Sequence, residues 1–352
     1  MTPAAELAAR LGISADAVTL ARDAGVVDLH LDTFIPHRLF GWDLHRRHRG
    51  GPVGRRFFGH VDRPRAEDGG LVGAMWSITT NPFRRAERRW SVFLENLERI
   101  RALLSASEAG YRVVTDARGW RAARAGGAHP ALLAIQGGNA VDAAPDGVAS
   151  IPGDVVTRIT LVHLTNSSLG ATNSPLDKGR TDKHLTAWGR RVVEQCNDRR
   201  VFVDLAHVHR QGFWDAVEVH DRSQPLIATH AGANGVRASW RNLDDDQIRV
   251  IADTGGVVGI IFEPSFLHRE GGPDDGATMV VEHLERVIAA GGEGAAALGS
   301  DFDGAIRPTR DLRGADRYPV IVQRMLDRRW TEARIRRVLS GNFEASFARL
   351  RP

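Results

Sequence analysis

The sequence predicts an α/β fold of the (β/α)8 TIM-barrel class, with a metal site at the C-terminal mouth of the barrel. Short apolar runs of strand length alternate with longer segments of helical periodicity. Because parallel strands need a crossover connection, usually a helix, this alternation predicts a parallel sheet that is covered on both faces. Eight such units close a sheet into a barrel. A doubly wound open sheet is the alternative architecture.

The predicted elements follow one another without an interdomain linker, so residues 1–352 are expected to form one domain. A helical cap at 2–22, within the N-terminal segment 1–25, precedes the first strand. Strands are predicted at 26–32, 71–78, 131–136, 158–163, 201–207, 226–230, 256–262 and 296–301. The clearest helical patterns are 84–106, 185–199, 244–253 and 279–290. Two further helices, 318–328 and 331–339, end the chain, and Gly341 is expected to stop the last one.

Composition excludes several classes of function. The 47 basic and 43 acidic residues are interspersed, whereas nucleic-acid binding favours a concentrated basic face. Cys196 is the only cysteine, so the chain forms neither an intrachain disulfide nor a cysteine metal cluster. No segment approaches the roughly 18 apolar residues of a membrane span, and the first residues lack a signal-peptide pattern. The protein is therefore expected to be cytoplasmic, without membrane or nucleic-acid partners.

Potential metal ligands stand at the ends of the predicted strands. The first strand ends with an H-x-D pair, whose two side chains lie on the same side of the strand. Four other predicted strands each end with one potential ligand. The full set is His30, Asp32, His163, His207, His230 and Asp301. Strand ends converge at one face of a barrel, where active sites are built. The two longest irregular stretches, 37–70 and 167–184, also follow strands and are expected at this mouth.

Each of these residues also has an ordinary structural interpretation. A single histidine at a strand end is more often a hydrogen-bonded structural residue than a ligand. An aspartate there is more often a helix cap or turn former, which suits Asp28 and Asp303. The joint pattern favours a metal site, because imidazole and carboxylate together are the donors that suit zinc.

Ten segments carrying these residues resemble the renal and bacterial membrane dipeptidases, a metallopeptidase branch of the amidohydrolase superfamily. They occur in the family's order over about nine tenths of the chain. The segments are DLHLDT (28–33), AMWSIT (74–79), IQGGNAVD (135–142), ITLVHLTNS (159–167), WGRRVVEQCN (188–197), FVDLAHV (202–208), ATHAGANGV (228–236), SWRNLDDDQI (239–248), LGSDFDG (298–304) and RWTEARIRRVLSGNF (329–343).

The resemblance implies a binuclear zinc site and assigns roles to individual residues. The first zinc ion would be held by His30, Asp32 and Asp301, and the second by His207 and His230. The substrate would be bound by His163, which helps to polarise the peptide carbonyl, and by Arg241, which pairs with the free carboxylate. Asp301 is also the implied catalytic base, so the implied catalytic pair is Asp301 and His163.

Gln136 departs from the family pattern. The resemblance implies a glutamate at this position, whose two oxygens bridge both metals. An amide supplies one oxygen donor and no charge, so the repulsion between two divalent ions is less well compensated. We therefore expect one or two zinc ions, with fewer than two fully occupied.

Three functional hypotheses follow from the sequence. The leading one is zinc-dependent hydrolysis of dipeptides or similar small amides that carry a carboxylate, weakened by Gln136. The second is a metal-dependent tailoring enzyme acting on another small substrate. The third is a non-catalytic, dipeptidase-like protein. The expected partner is a small-molecule or dipeptide substrate, and homodimers are common among such proteins.

Overall fold

Eight parallel strands close into a barrel in the computed structural model, which describes residues 1–105, 110–175 and 181–352. The predicted fold class is confirmed. In order around the barrel the strands are β1 Val26–Leu31, β2 Leu71–Thr79, β4 His129–Gln136, β5 Val156–Thr160, β6 Phe202–Asp204, β7 Ile227–Ala231, β8 Val257–Ile260 and β9 Ala296–Leu298. Pairing of β2 with β4 and of β1 with β9 closes the ring. A three-residue strand that the sequence did not predict, β3 Tyr111–Val113, pairs with the start of β4.

Helices surround the barrel between the strands. They are α1 Ala4–Leu11, α2 Ala15–Ala24, α3 Phe34–Phe40, α4 Arg63–Gly69, α5 Ala86–Ser105, α6 Ala117–Ala125, α7 Ala187–Asp198, α8 Arg210–Val219, α9 Asp245–Asp253, α10 Pro264–Leu267, α11 Gly276–Gly291, α12 Tyr318–Asp327, α13 Glu332–Arg336 and α14 Asn342–Leu350. Each predicted helix corresponds to one of them or, for the N-terminal cap, to the pair α1 and α2. No helix in the described ranges is long and apolar enough to cross a membrane.

Local side-chain chemistry explains several helix starts. The Asp244 carboxylate accepts a hydrogen bond from the Gln247 backbone N–H, and the Gln247 side chain accepts one from the Asp244 N–H. This reciprocal capping box satisfies two backbone donors that would otherwise lack partners. Asp275 and Thr186 cap α11 and α7 in the simpler one-sided way.

The expectation that Gly341 stops the last helix was wrong. The backbone continues from α13 through a π-helical segment, Arg337–Gly341, directly into α14, and Gly341 keeps a helical φ of −59°. Leu339 is fully buried there, and Phe343 and Phe347 pack against the base of the barrel beside Trp120. Burial of this apolar face outweighs the modest helix preference lost at one glycine.

The irregular stretch 37–70 contains α3, α4 and a 3-10 turn at Pro52–Arg55, so it is more ordered than the sequence indicated. In the stretch 167–184, residues 176–180 lie outside the described residues. Its described part is anchored by isolated bridges that join Gly170 to Leu185 and Thr172 to Val208.

Strands β7, β8 and β9 approach one another closely below the mouth. A Cβ atom at Gly299 would stand 1.7 Å from the Thr229 carbonyl oxygen, and one at Gly259 would stand 2.1 Å from the same oxygen. Only glycine fits at these two positions without moving the backbone. The close approach fixes the strand ends that carry His230 and Asp301.

Candidate metal centre

The predicted site residues meet at one mouth of the barrel, in two layers. The upper layer lines a cavity of about 690 Å³ and consists of Asp32, His163, His207, Arg241 and Asp301. The lower layer is buried directly beneath it and consists of His30, Gln136 and His230. The structure therefore brings together all eight residues that the sequence singled out, although none of their roles follows from position alone.

One side of the site joins a histidine to two carboxylates. His30 Nε2 lies 3.5 Å from Asp32 Oδ2 and 3.7 Å from Asp301 Oδ1. Within the described ranges, His30, His230 and Asp301 form a group whose potential ligand atoms all lie within 4.8 Å of one another. Burial, followed by the nearby Asp32 charge, raises the pKa of Asp301 well above its usual range.

The other side is a pair of imidazoles. His207 Nε2 and His230 Nε2 are only 2.9 Å apart. His230 Nδ1 lies 2.8 Å from the Thr229 hydroxyl, which itself lies 2.7 Å from Asp204 Oδ2. If Thr229 donates its proton to this carboxylate, its oxygen accepts the His230 Nδ1–H, which leaves the Nε2 lone pair free.

These two imidazoles fit a cation. His207 Nε2 also lies 3.1 Å from Arg241 Nη2, a nitrogen that only donates, so this Nε2 presents a lone pair as well. Two lone pairs 2.9 Å apart repel each other unless a cation lies between them or near them. Burial is the main cause that holds the pKa of both His207 and His230 well below the usual range, which keeps them in the neutral form that binds metals.

Two site residues adopt a left-handed backbone conformation. The φ angles are 67° at His207 and 63° at Asp301, which lie three residues beyond the ends of β6 and β9. Such conformations cost on the order of 1–3 kcal/mol for residues other than glycine and cluster at functional sites. The strands end before these residues, and the turn directs both side chains toward the cavity.

Gln136 lies where the sequence analysis expected a metal-bridging residue. It is buried at the end of β4, and its Oε1 is 3.0 Å from the Thr79 hydroxyl. The same hydroxyl is 2.7 Å from Asp32 Oδ1. The single proton of Thr79 serves one of these oxygens at a time, and the charged carboxylate is the stronger acceptor.

His163 and Arg241 flank the imidazole pair. His163 lies three residues beyond the end of β5 and is partly exposed, with its ring 4.8 Å from the His207 ring. Burial of its ring lowers the pKa of His163 to about 4, so it is neutral at physiological pH. Arg241 is buried in the loop after β7, where burial lowers its pKa to about 10 and leaves it charged.

Sequence analysis missed two residues beneath the site, Arg158 on β5 and Asp204 on β6. Both are fully buried, and Arg158 Nη1 donates to Asp204 Oδ2 at 2.7 Å. The same Nη1 lies 2.9 Å from His30 Nδ1. The sequence signal that could have identified them is a charged residue inside a predicted strand. Arg158 shares its side of the strand with Thr160, so both point into the barrel.

The sequence matches the family described as membrane dipeptidase, peptidase family M19, over residues 14–345. The chain belongs to this family. It is therefore a member of a hydrolase family, and the resemblance described from the motifs is confirmed. An uncharacterized protein from the pqqA 5′ region of Klebsiella pneumoniae is 39% identical over 141 residues. That match covers 39% of this chain and 51% of the relative, so the chain spans about half of that relative's length.

Solved structures of a dipeptidase, a metallopeptidase and a probable dipeptidase resemble the whole barrel. Dipeptidase AC, a metallopeptidase of family M19, is 27% identical, with a TM-score of 0.81 over 92% of this chain and 99% of that one. A Rhodobacter sphaeroides metallopeptidase, solved with a phosphinate mimic of the dipeptide L-Ala-D-Ala, is 26% identical with the same coverage and TM-score. Probable dipeptidase PvdM from Pseudomonas aeruginosa, at 15% identity, a TM-score of 0.82, and 95% and 97% coverage, shows the fold alone.

Proposed function

We propose that this protein is a metal-dependent hydrolase of dipeptides or similar small amides that carry a free carboxylate. The observation that carries the proposal is the convergence of the His207 and His230 Nε2 atoms, 2.9 Å apart, in a mouth that also presents Asp301 and a buried arginine. The Rhodobacter sphaeroides relative binds a mimic of L-Ala-D-Ala, which supports a dipeptide as the substrate.

The donor set favours zinc as the resident ion. Neutral imidazoles and carboxylates are the ligands that zinc prefers, and the barrel mouth presents both. A bound zinc ion supplies Lewis-acid polarisation of the scissile carbonyl and makes a water molecule nucleophilic at neutral pH. All further steps depend on the protein's own groups.

Asp301 acts as the proton carrier of the reaction. Its carboxylate accepts a proton from the attacking water while the water oxygen bonds to the carbonyl carbon. The same proton is then delivered to the amide nitrogen as the C–N bond breaks, which yields two free amino acids. Its position on the cavity wall suits this role, because a general base must lie within reach of the proton that it takes up.

Arg241 and His163 bind and orient the substrate. Arg241 Nη2 faces His207 Nε2 at 3.1 Å, and a substrate carboxylate is a stronger acceptor for that guanidinium. Neutral His163 on the cavity wall retains one N–H, which donates a hydrogen bond to the carbonyl oxygen of the scissile amide. The two contacts fix the carbonyl relative to Asp301.

A second candidate is a tailoring enzyme that acts on another carboxylate-bearing amide, and Gln136 favours it because the neutral amide departs from the family's bridging carboxylate. A non-catalytic role is disfavoured by the neutral, converging His207 and His230. A homodimer, a cytoplasmic location and a single domain over 1–352 remain predictions from the sequence.

Hydrolysis of L-Ala-D-Ala tests the proposal. Protein stripped by a chelator should be inactive, and addition of zinc should restore release of alanine, followed by chromatography. Asp301→Asn should lower kcat/KM by about 10²–10⁴-fold, the usual contribution of a general base. Glu263→Gln is the matched control, since Glu263 lines the same cavity but its carboxylate accepts from the backbone N–H groups of Ser265 and Arg307. Zinc-loaded protein that cleaves no dipeptide in a broad panel would refute dipeptide hydrolysis and favour the second candidate.

A further inference from the structure

A buried positive charge lies directly beneath the proposed metal site. The Arg158 guanidinium is inaccessible to solvent, and its Nη1 is 2.9 Å from His30 Nδ1. Its other terminal nitrogen, Nη2, donates to the Ser77 hydroxyl at 2.5 Å. The salt bridge to Asp204 holds the group in place. The ion pair and the hydrogen bonds together keep the charged Arg158 side chain in its buried position.

Arg158 determines which nitrogen of His30 carries the proton. A guanidinium has N–H donors and no acceptor, so His30 Nδ1 beside it must present its lone pair. The next nearest polar group, the Thr229 hydroxyl, is 3.4 Å away. In the neutral imidazole the proton therefore sits on Nε2. This N–H faces Asp32 Oδ2 at 3.5 Å and Asp301 Oδ1 at 3.7 Å.

His230 provides an internal comparison, because its hydrogen bonding is the opposite. Its Nδ1 faces a hydroxyl oxygen that can accept, and its Nε2 lone pair points at His207. Histidines that bind metals almost always donate their second ring N–H to an acceptor. His230 meets this condition. The His207 Nδ1 has no hydrogen-bond partner in the described ranges, whereas the His30 Nδ1 faces a donor, although His30 and His230 lie in the same cluster of potential ligand atoms.

We infer that this protein holds a single divalent ion, at the His207–His230 pair, and that Arg158 excludes a second one by turning His30 into a hydrogen-bond donor. The His30 Nε2–H then points toward the carboxylates of Asp32 and Asp301, where the family resemblance implied a metal ion. The inference rests on the proposed metal site but not on the substrate. Arg158 is thus a positioning residue that acts through His30.

Zinc stoichiometry tests the inference without an activity assay. Chelator-stripped protein is incubated with excess zinc chloride, passed through a desalting column, and analysed by elemental mass spectrometry against protein concentration. We expect one zinc ion per chain for the wild type and also for Gln136→Glu, because the restored carboxylate does not free His30. The double variant Gln136→Glu/Arg158→Met should bind two.

The double variant should fold. Without Arg158, Asp204 still accepts hydrogen bonds from the backbone of Ala206 and Thr229 and from the hydroxyls of Thr160 and Thr229. Gln136→Glu/Arg351→Met is the matched control, because Arg351 is also buried but donates mainly to backbone carbonyls such as those of Arg200 and Val156. This control should bind one ion.

Nitrogen NMR of histidine-labelled, zinc-loaded wild type gives a readout that requires no folded variant at position 158. The imidazole signals lost in His30→Gln identify His30, and they should show a proton on Nε2 and none on Nδ1. A proton on Nδ1, two ions in wild type or Gln136→Glu, or one ion in the folded double variant would each overturn the inference. Absence of zinc binding would overturn the proposed function as well, whereas two ions would leave it standing.

Discussion

Arg241 is the residue whose proposed role can be tested most directly, by Arg241→Lys. The side chain is buried at the cavity wall, and at neutral pH it is protonated, since its pKa of about 10 lies well above that range. A hydrogen bond to a charged group contributes about 1.5–3 kcal/mol. Lysine keeps the charge but loses the planar fork that binds a carboxylate through two N–H groups.

The loss should therefore be about ten- to a hundredfold in kcat/KM for a free dipeptide, since about 1.4 kcal/mol corresponds to a factor of ten. The assay compares L-Ala-D-Ala with its C-terminal amide in both proteins. The amide should be a poor substrate for wild type, and Arg241→Lys should change its kcat/KM much less than that of the free acid.

Arg307→Lys is the control, because Arg307 is exposed at the rim of the same cavity and should have little effect. Equal rates for the acid and the amide in the wild-type enzyme would refute carboxylate recognition by Arg241. An equal loss for both substrates in Arg241→Lys would instead assign Arg241 a structural role beside His207.

Three further predictions concern stability. Tyr318→Phe should lower the free energy of unfolding, measured by urea titration, by about 1–3 kcal/mol, since the Tyr318 hydroxyl donates to buried Asp28 at 2.5 Å. Tyr111→Phe should be nearly neutral in the same measurement, because the Tyr111 hydroxyl has no hydrogen-bond partner in the described ranges. Zinc at about a hundred times its Kd should stabilise the protein by about 2.7 kcal/mol, and a melting-temperature shift that persisted in His230→Ala would contradict the site. The folded-state pKa of His163, about 4, lies below the unfolded value near 6.5, so its contribution is present above pH 6.5 and is lost as the pH falls toward 4. Metal-free wild type should consequently lose up to about 2 kcal/mol more stability between pH 7 and pH 5 than His163→Gln, less if partial exposure of the ring screens the effect; parallel pH profiles would contradict it.

The alternation of apolar runs with helical segments predicted the barrel because both signals are local. Strand ends were less predictable. The strands predicted from the sequence extended to His163, His207 and Asp301, whereas the observed strands end three residues earlier in each case. Left-handed φ angles at His207 and Asp301 are incompatible with an extended strand, and residue type alone does not reveal them.

The residues of the candidate site were predictable, but their hydrogen bonding was not. Histidines at the ends of several strands indicated a metal site, because strand ends converge in a barrel. Which nitrogen of each histidine is free depends on the polar groups that its ring meets inside the barrel. His30 on β1 meets an arginine from β5, and His230 on β7 meets the hydroxyl of Thr229. Contacts between residues 128 positions apart leave no trace in a local pattern.

Gln136 and Arg158 both act against a second ion. A neutral amide at 136 removes one negative charge relative to a glutamate. The Arg158 guanidinium is paired with Asp204 and adds no net charge, but it donates to His30 Nδ1. Unit charges 4 Å apart interact by roughly 4 kcal/mol at an effective dielectric constant near 20, and two divalent ions repel each other by roughly four times as much. Because bridging carboxylates normally offset that repulsion, the neutral amide of Gln136 weakens the binding of a second ion. One ion is therefore expected at the imidazole pair. A cation there removes the repulsion between the converging lone pairs of His207 and His230, and this effect does not depend on a second cation beside Asp32 and Asp301.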